Sequence, residues 1–285
     1  MHMKRTKFKT GILAVVFCSL TFLFSGDGNS IYADEILTDT ELPVGRFSFE
    51  EKTEEADDED YESVEEDDVA EQSLLRMTGI SADDWEKYGS DYFYEQLSDE
   101  GKKYWDDLDV ICAKYLTTET DAVTTNTGTY RMKAISGSTL EKEKQKKVLR
   151  MFRYSKPQYY FLNATIYTIT YSDKKVSMIF GIYPAFGKGA DRMEETEKVK
   201  AQVDTWQKQI DECSTEDEKV QTIHDLIIQK VEYNHDLVNS DFATENTEYS
   251  QSVYSVLCTN KTVCAGYAQT FEMMCNGTGI DTVAV

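Results

Sequence analysis

The stretch from Phe161 to Tyr183 limits the choice of fold more than any other part of this chain. Phe161–Tyr171 (FLNATIYTITY) and Val176–Tyr183 are rich in β-branched and aromatic residues. The polar Ser172–Lys175 separates them, which is the pattern of a β-hairpin. Either side of it the apolar period is helical. Ser98 is a good N-cap, and Tyr104, Leu108, Ile111 and Tyr115 recur on one helix face behind it. Thr139, Glu141 and Glu143 open a second helix that carries Val148, Leu149 and Phe152 towards Pro157. Val199, Val203, Trp206, Ile210 and Cys213 make one apolar stripe in a third. Thr215-x-x-Glu218 is a capping box for a fourth, with Val220, Ile223, Ile227 and Val231 on its inner face. A hairpin among amphipathic helices predicts an α+β fold.

Charge divides the chain further. The net charge is −22 over 285 residues, yet Glu50–Glu71 alone holds fourteen Asp/Glu against one Lys. Asp34–Gln72 has no apolar periodicity and too much like charge to collapse, so it reads as an acidic, disordered spacer. DDEDYESVEEDD within it lacks the Gly that an EF-hand loop needs. Past residue 10 the only basic cluster is Lys142–Lys147, which excludes nucleic-acid binding by a basic face. Met1–Thr10 is basic and Gly11–Phe24 is a fourteen-residue apolar run, short for a membrane span. With Ala33 before Asp34 this fits a signal peptide over 1–33. The expected location is therefore secreted or cell-surface, with membrane contact only during export. The domain plan is 1–33 signal, 34–72 spacer, 73–190 an α+β region of helices and hairpin, and 191–285 a second domain.

Five cysteines follow the signal: 112, 213, 258, 264 and 275. An odd number at irregular spacing is not a disulfide framework, and no Cys/His spacing suits zinc; no metal or cofactor is expected. Lys261–Val285 (KTVCAGYAQTFEMMCNGTGIDTVAV) places Cys264 where a loop becomes a helix. Unsatisfied amides and the positive end of the helix dipole favour a thiolate there. Ala265 and Gly266 are expected to keep the surroundings open. Ala268, Phe271 and Cys275 are expected to anchor the face that carries Cys264. Asn276-Gly277-Thr278-Gly279 ends the helix, and a strand starts at Ile280.

Thr262-Val263-Cys264-Ala265-Gly266-Tyr267-Ala268-Gln269-Thr270-Phe271, followed by Gly279-Ile280, resembles the nucleophile segment of the transglutaminase-like superfamily. Ile223–Ile227 through Val231-Glu232-Tyr233 resembles the helix leading into that family's core. Gln251–Leu257 resembles the short helix before the nucleophile. Tyr92–Leu97 and Lys156–Leu162 are similar to regions preceding such domains in secreted proteins of Gram-positive bacteria. The resemblance implies a papain-like α+β core, with the cysteine helix on an antiparallel sheet and a Cys–His–Asp triad whose His and Asp follow the cysteine.

No His occurs after His235, and His224 and His235 both precede Cys264. Thiol acyl transfer needs an imidazole to take up and return a proton. The expectation is therefore a C-terminally truncated chain, inactive as written, whose complete form uses Cys264 on protein amide bonds. The Cys264 N–H would serve the oxyanion, with Gln251 and Tyr254 as side-chain candidates for the oxyanion or cleft. Water as acceptor makes a protease or amidase, and an amine makes a crosslinking acyl transferase; bacterial relatives favour the peptidase. Expected partners are protein or peptide substrates, including cell-surface or cell-wall peptides. The rival expectation is a non-catalytic surface binding or scaffolding module with the same fold.

Overall fold

The computed structural model describes residues 13–14, 50–55, 61–62, 81–135, 138–171, 175–240 and 249–284. The signal peptide expected over 1–33 lies outside them apart from Leu13–Ala14, as does most of the expected spacer. In chain order the elements are β1 (Leu13–Ala14), β2 (Glu50–Glu55), β3 (Tyr61–Glu62), α1 (Ala82–Glu86), α2 (Asp99–Thr117), β4 (Val123–Thr124), β5 (Tyr130–Arg131), β6 (Ala134–Ile135) and α3 (Lys142–Ser155). Then come β7 (Leu162–Thr170), β8 (Val176–Ile182), α4 (Gly189–Asp211), α5 (Glu216–Lys230), β9 (Glu232–Tyr233), α6 (His235–Asn239), α7 (Val253–Leu257), β10 (Lys261–Thr262), α8 (Cys264–Gly277) and β11 (Thr282–Val283). The fold is mixed α+β.

β7 and β8 form the expected antiparallel hairpin at the centre of a five-stranded sheet of order β2-β7-β8-β5-β4. Both strands are almost wholly buried, as a hairpin rich in Ile, Tyr and Phe requires. α3 covers β8, and α2 packs on α3. The caps follow the sequence: Ser98 Oγ accepts from Gly101 N at 3.2 Å, and Thr215 and Glu218 complete their reciprocal box. Tyr104, Leu108, Ile111 and Tyr115 are all buried.

The spacer needs a correction. Glu50–Glu55 is strand β2, paired parallel to β7 along six residues. β7 presents a row of backbone donors and acceptors on that side, and the acidic side chains find cations. Glu54 Oε2 takes Arg131 Nε at 2.7 Å, and Glu51 pairs with Lys146 of α3, in the one basic cluster. The Lys146 hydrogen bond, with Lys142 and Arg150 nearby, holds the Glu51 carboxyl below its ordinary value. Leu13–Ala14 lies parallel to Thr282–Val283.

α4 begins at Gly189, where the chain passes so close to Glu119 that a Cβ would sit 1.8 Å from its carbonyl oxygen. Its stripe of Val199, Val203, Trp206 and Ile210 is buried. Cys213 does not complete it: the helix ends at Asp211, and the half-buried thiol meets Thr222 Oγ1 at 3.2 Å.

Candidate active site

Cys264 is the first residue of α8, behind an extended Val263 with φ −117° and ψ −179°. The helix bonds open with Gly266 N and Tyr267 N donating to Val263 O at 3.0 and 3.3 Å. The thiol is half-buried. β10, just before it, pairs parallel with β9, Lys261 opposite Glu232 and Thr262 opposite Tyr233. Asn234 N donates to Thr262 O at 2.7 Å. Asn276 clamps the far end, its amide accepting from Thr282 N at 2.8 Å and donating to Thr282 O at 3.0 Å. Gly279, at φ +85°, turns the chain so that Ile280 N returns to Cys275 O.

Two expectations about this helix change. Gly266 does not open the surroundings of Cys264. It is buried, and a Cβ there would meet Thr262 Oγ1 at 2.0 Å, Ser255 Oγ at 2.9 Å and Ser250 O at 3.3 Å. Glycine lets α8 seat itself on the strand and short helix before it. The anchoring face also differs in the first two turns. Gly266, Gln269 and Thr270 are buried there, whereas Cys264 and Ala268 are only half-buried. Phe271 and Cys275 are buried as expected.

A compact polar network fixes the entry to α8. Ser250 O accepts from Thr262 Oγ1 at 3.0 Å, Ser255 Oγ at 3.2 Å and Val263 N at 3.4 Å; the two hydroxyls lie 2.6 Å apart. Tyr249 precedes it at φ +47°, and its carbonyl accepts from Ser252 N at 3.1 Å and Ser252 Oγ at 2.8 Å. These residues escape a reading by apolar periodicity. Their signal is a run of small hydroxyl residues just before the loop that leads to Cys264.

Of the two cleft candidates, Gln251 is buried, and among the described residues its Oε1 has no hydrogen-bond partner. Tyr254 turns towards α4. Its hydroxyl donates to Glu195 Oε2 at 2.7 Å, and its ring sits among Tyr160, Phe186 and Tyr249 at centroid distances of 5.6, 5.0 and 4.8 Å. The structure therefore commits Tyr254 to an aromatic cluster shared with the preceding region.

The sequence also gave no sign of the joint between α3 and α8. Arg153 is buried and donates from Nη1 to Gln269 Oε1 at 3.0 Å. Beside it, Tyr154 of α3 lies within electrostatic range of Cys264. Glu272, two turns along α8 from Cys264, is buried with Oε2 accepting from Ala284 N at 3.2 Å. Burial pushes its carboxyl well above the ordinary value.

The cysteines separate on electrostatic grounds. Burial pushes the thiols of Cys258 and Cys275 up to about 12 and that of Cys112 well above its usual range. All three are protonated at neutral pH. His224 Nδ1 meets Asp225 Oδ1 at 3.0 Å on α5, and the His235 ring packs on Tyr233 at 5.0 Å. Among the described residues no cluster of His, Cys, Asp and Glu is arranged to hold a metal ion.

Residues 204–285 match the family model of the transglutaminase-like superfamily. The chain carries a transglutaminase-like segment. The match starts inside α4 and takes in α5, α6, α7 and α8, so Cys264 lies within it. No curated protein matches the chain. In the described residues α8 packs against helices α5, α7 and α4 and the short strands β10 and β11. The five-stranded sheet belongs to the preceding region.

Proposed function

We propose that this transglutaminase-like segment carries the nucleophile of an exported thiol enzyme acting on amide bonds of proteins or peptides. One observation supports this above the others: Cys264 takes the first helical position of α8 inside the matched segment. Amides at a helix N-terminus stabilise an anion, which helps a thiolate there. The thiolate would attack the carbonyl carbon, and the Cys264 N–H would help hold the developing oxyanion. Collapse of the tetrahedral intermediate expels the amine and leaves a thioester. Water or a second amine then takes the acyl group. A papain-like arrangement would bring the proton-transferring imidazole from a segment outside residues 265–285, which contain no histidine.

A second reading, a surface module that binds without turnover, draws on the histidines. His224 pairs with Asp225 and the His235 ring packs at a tilt on Tyr233, which are structural contacts. The test is the rate of iodoacetamide alkylation at Cys264, read by mass spectrometry at pH 7. The catalytic reading expects a rate about tenfold or more above that of an unstructured thiol. An ordinary rate would remove the activated nucleophile and leave the binding module.

A further inference from the structure

Tyr267 follows Cys264 by three residues on α8, so the two side chains are neighbours on the helix surface. Its hydroxyl donates to Val231 O at 3.3 Å, which fixes the ring against the end of α5. Tyr233 stacks on it at 6.4 Å between centroids and 13° between planes, and His235 packs on Tyr233. Tyr233 also stands opposite Thr262 in the β9–β10 pairing, two residues before the nucleophile. The chain thus reaches Tyr233 from both sides of Cys264.

This wall remains open to solvent. Tyr233 is 38 % exposed, and Ile228 and Val238, close to it in sequence, are 51 % and 36 % exposed. With Val110 they are the large exposed apolar side chains among the described residues. An exposed aromatic face beside a reactive centre is available as a contact surface. Asp236 is paired with Lys261 Nζ at 3.1 Å, which leaves Glu232 as the remaining carboxylate of this segment.

We propose that Tyr267 and Tyr233 wall a subsite for a planar apolar side chain, aromatic above all, on the peptide residue whose carbonyl Cys264 attacks. The proposal rests on Cys264 being the nucleophile. Offset stacking and burial of one aromatic ring there correspond to about a tenfold preference.

Dipeptidyl chloromethyl ketones ending in Phe, Gly or Lys test it. In each, the Cys264 thiolate forms a C–S bond to the methylene carbon and chloride leaves with the C–Cl pair. Second-order labelling rates at Cys264 are divided by the iodoacetamide rate of the same protein. Wild type is expected to favour the Phe probe about tenfold over Gly. Tyr233→Phe keeps that ratio, and Tyr233→Ala brings it close to one. Equal Phe and Gly ratios, or a preference for Lys, with a fast iodoacetamide reaction would overturn the subsite and leave the nucleophile standing. A slow iodoacetamide reaction in wild type removes both.

Discussion

Gly266 shows how closely the start of α8 is packed. Thr262 Oγ1 lies where a Cβ would go, and it cannot swing away without losing its bond to Ser250 O. Gly266→Ala is expected to destabilise the protein by about 2–3 kcal/mol, measured by urea unfolding, as overpacking of a tight site does. Glu272 is sensitive to pH instead. Its folded-state pKa lies above the ordinary 4.5, so its contribution is fully present below that value and is lost as pH rises through the folded value. Glu272→Gln is neutral and keeps an acceptor for Ala284 N. It should match wild type near pH 4 and be the more stable protein at pH 8, the gap opening as pH rises. Thiol labelling at neutral pH should spare Cys112, Cys258 and Cys275, whose burial keeps them protonated. Labelling of Cys275 in native protein would contradict that assignment.

Between elements, the joint that matters is α3 to α8. A buried guanidinium bonded to a buried amide is worth about 1.5–3 kcal/mol, because breaking it strands a charge. Arg153→Met and Gln269→Leu should each destabilise by about that much, and the double variant by less than their sum. A double-mutant cycle with additive losses would mean the contact carries no coupling. The long helices, the Ser98 and Thr215 caps and the hairpin were legible in the sequence, since apolar period and capping residues are local properties; the short helices α1 and α6 were not. The Arg153–Gln269 contact was not, as its partners are 116 residues apart and neither position stands out by composition. β2 was hidden for a related reason. Six residues of mostly glutamate have little strand propensity of their own and acquire it from the β7 edge and from Arg131 and Lys146.

Taken as a molecule, the transglutaminase-like segment is built into the region before it. Arg192 of α4 donates to the carbonyls of Tyr115, Phe186, Thr118 and Thr120 and lies over the Tyr115 ring at 4.9 Å. Tyr160, Tyr183 and Phe186 from one side meet Tyr249 and Tyr254 from the other. Burying one such ring stabilises by about 2–3 kcal/mol. A cut at residue 204, where the family match begins, severs α4 and removes Arg192 and three of the rings. The isolated 204–285 segment is therefore expected to lack a cooperative thermal transition by circular dichroism, whereas the whole chain melts as one unit. A sharp transition in the short segment would show that the preceding region is not needed for folding. Among the described residues no helix is long and apolar enough to cross a membrane.

The sequence by itself determined the long helices, the hairpin and the position of Cys264 at a helix start. Apolar spacing, a capping box and a small-residue turn act within a few positions, so Cys264 could be set at the start of α8 without coordinates. Tertiary structure alone decided what surrounds it. Gly266 became a point of contact, Tyr254 was drawn to Glu195, and Tyr233 came to stack on Tyr267. These outcomes depend on backbone approach and on side chains from distant segments competing for the same space, and no local pattern records that competition.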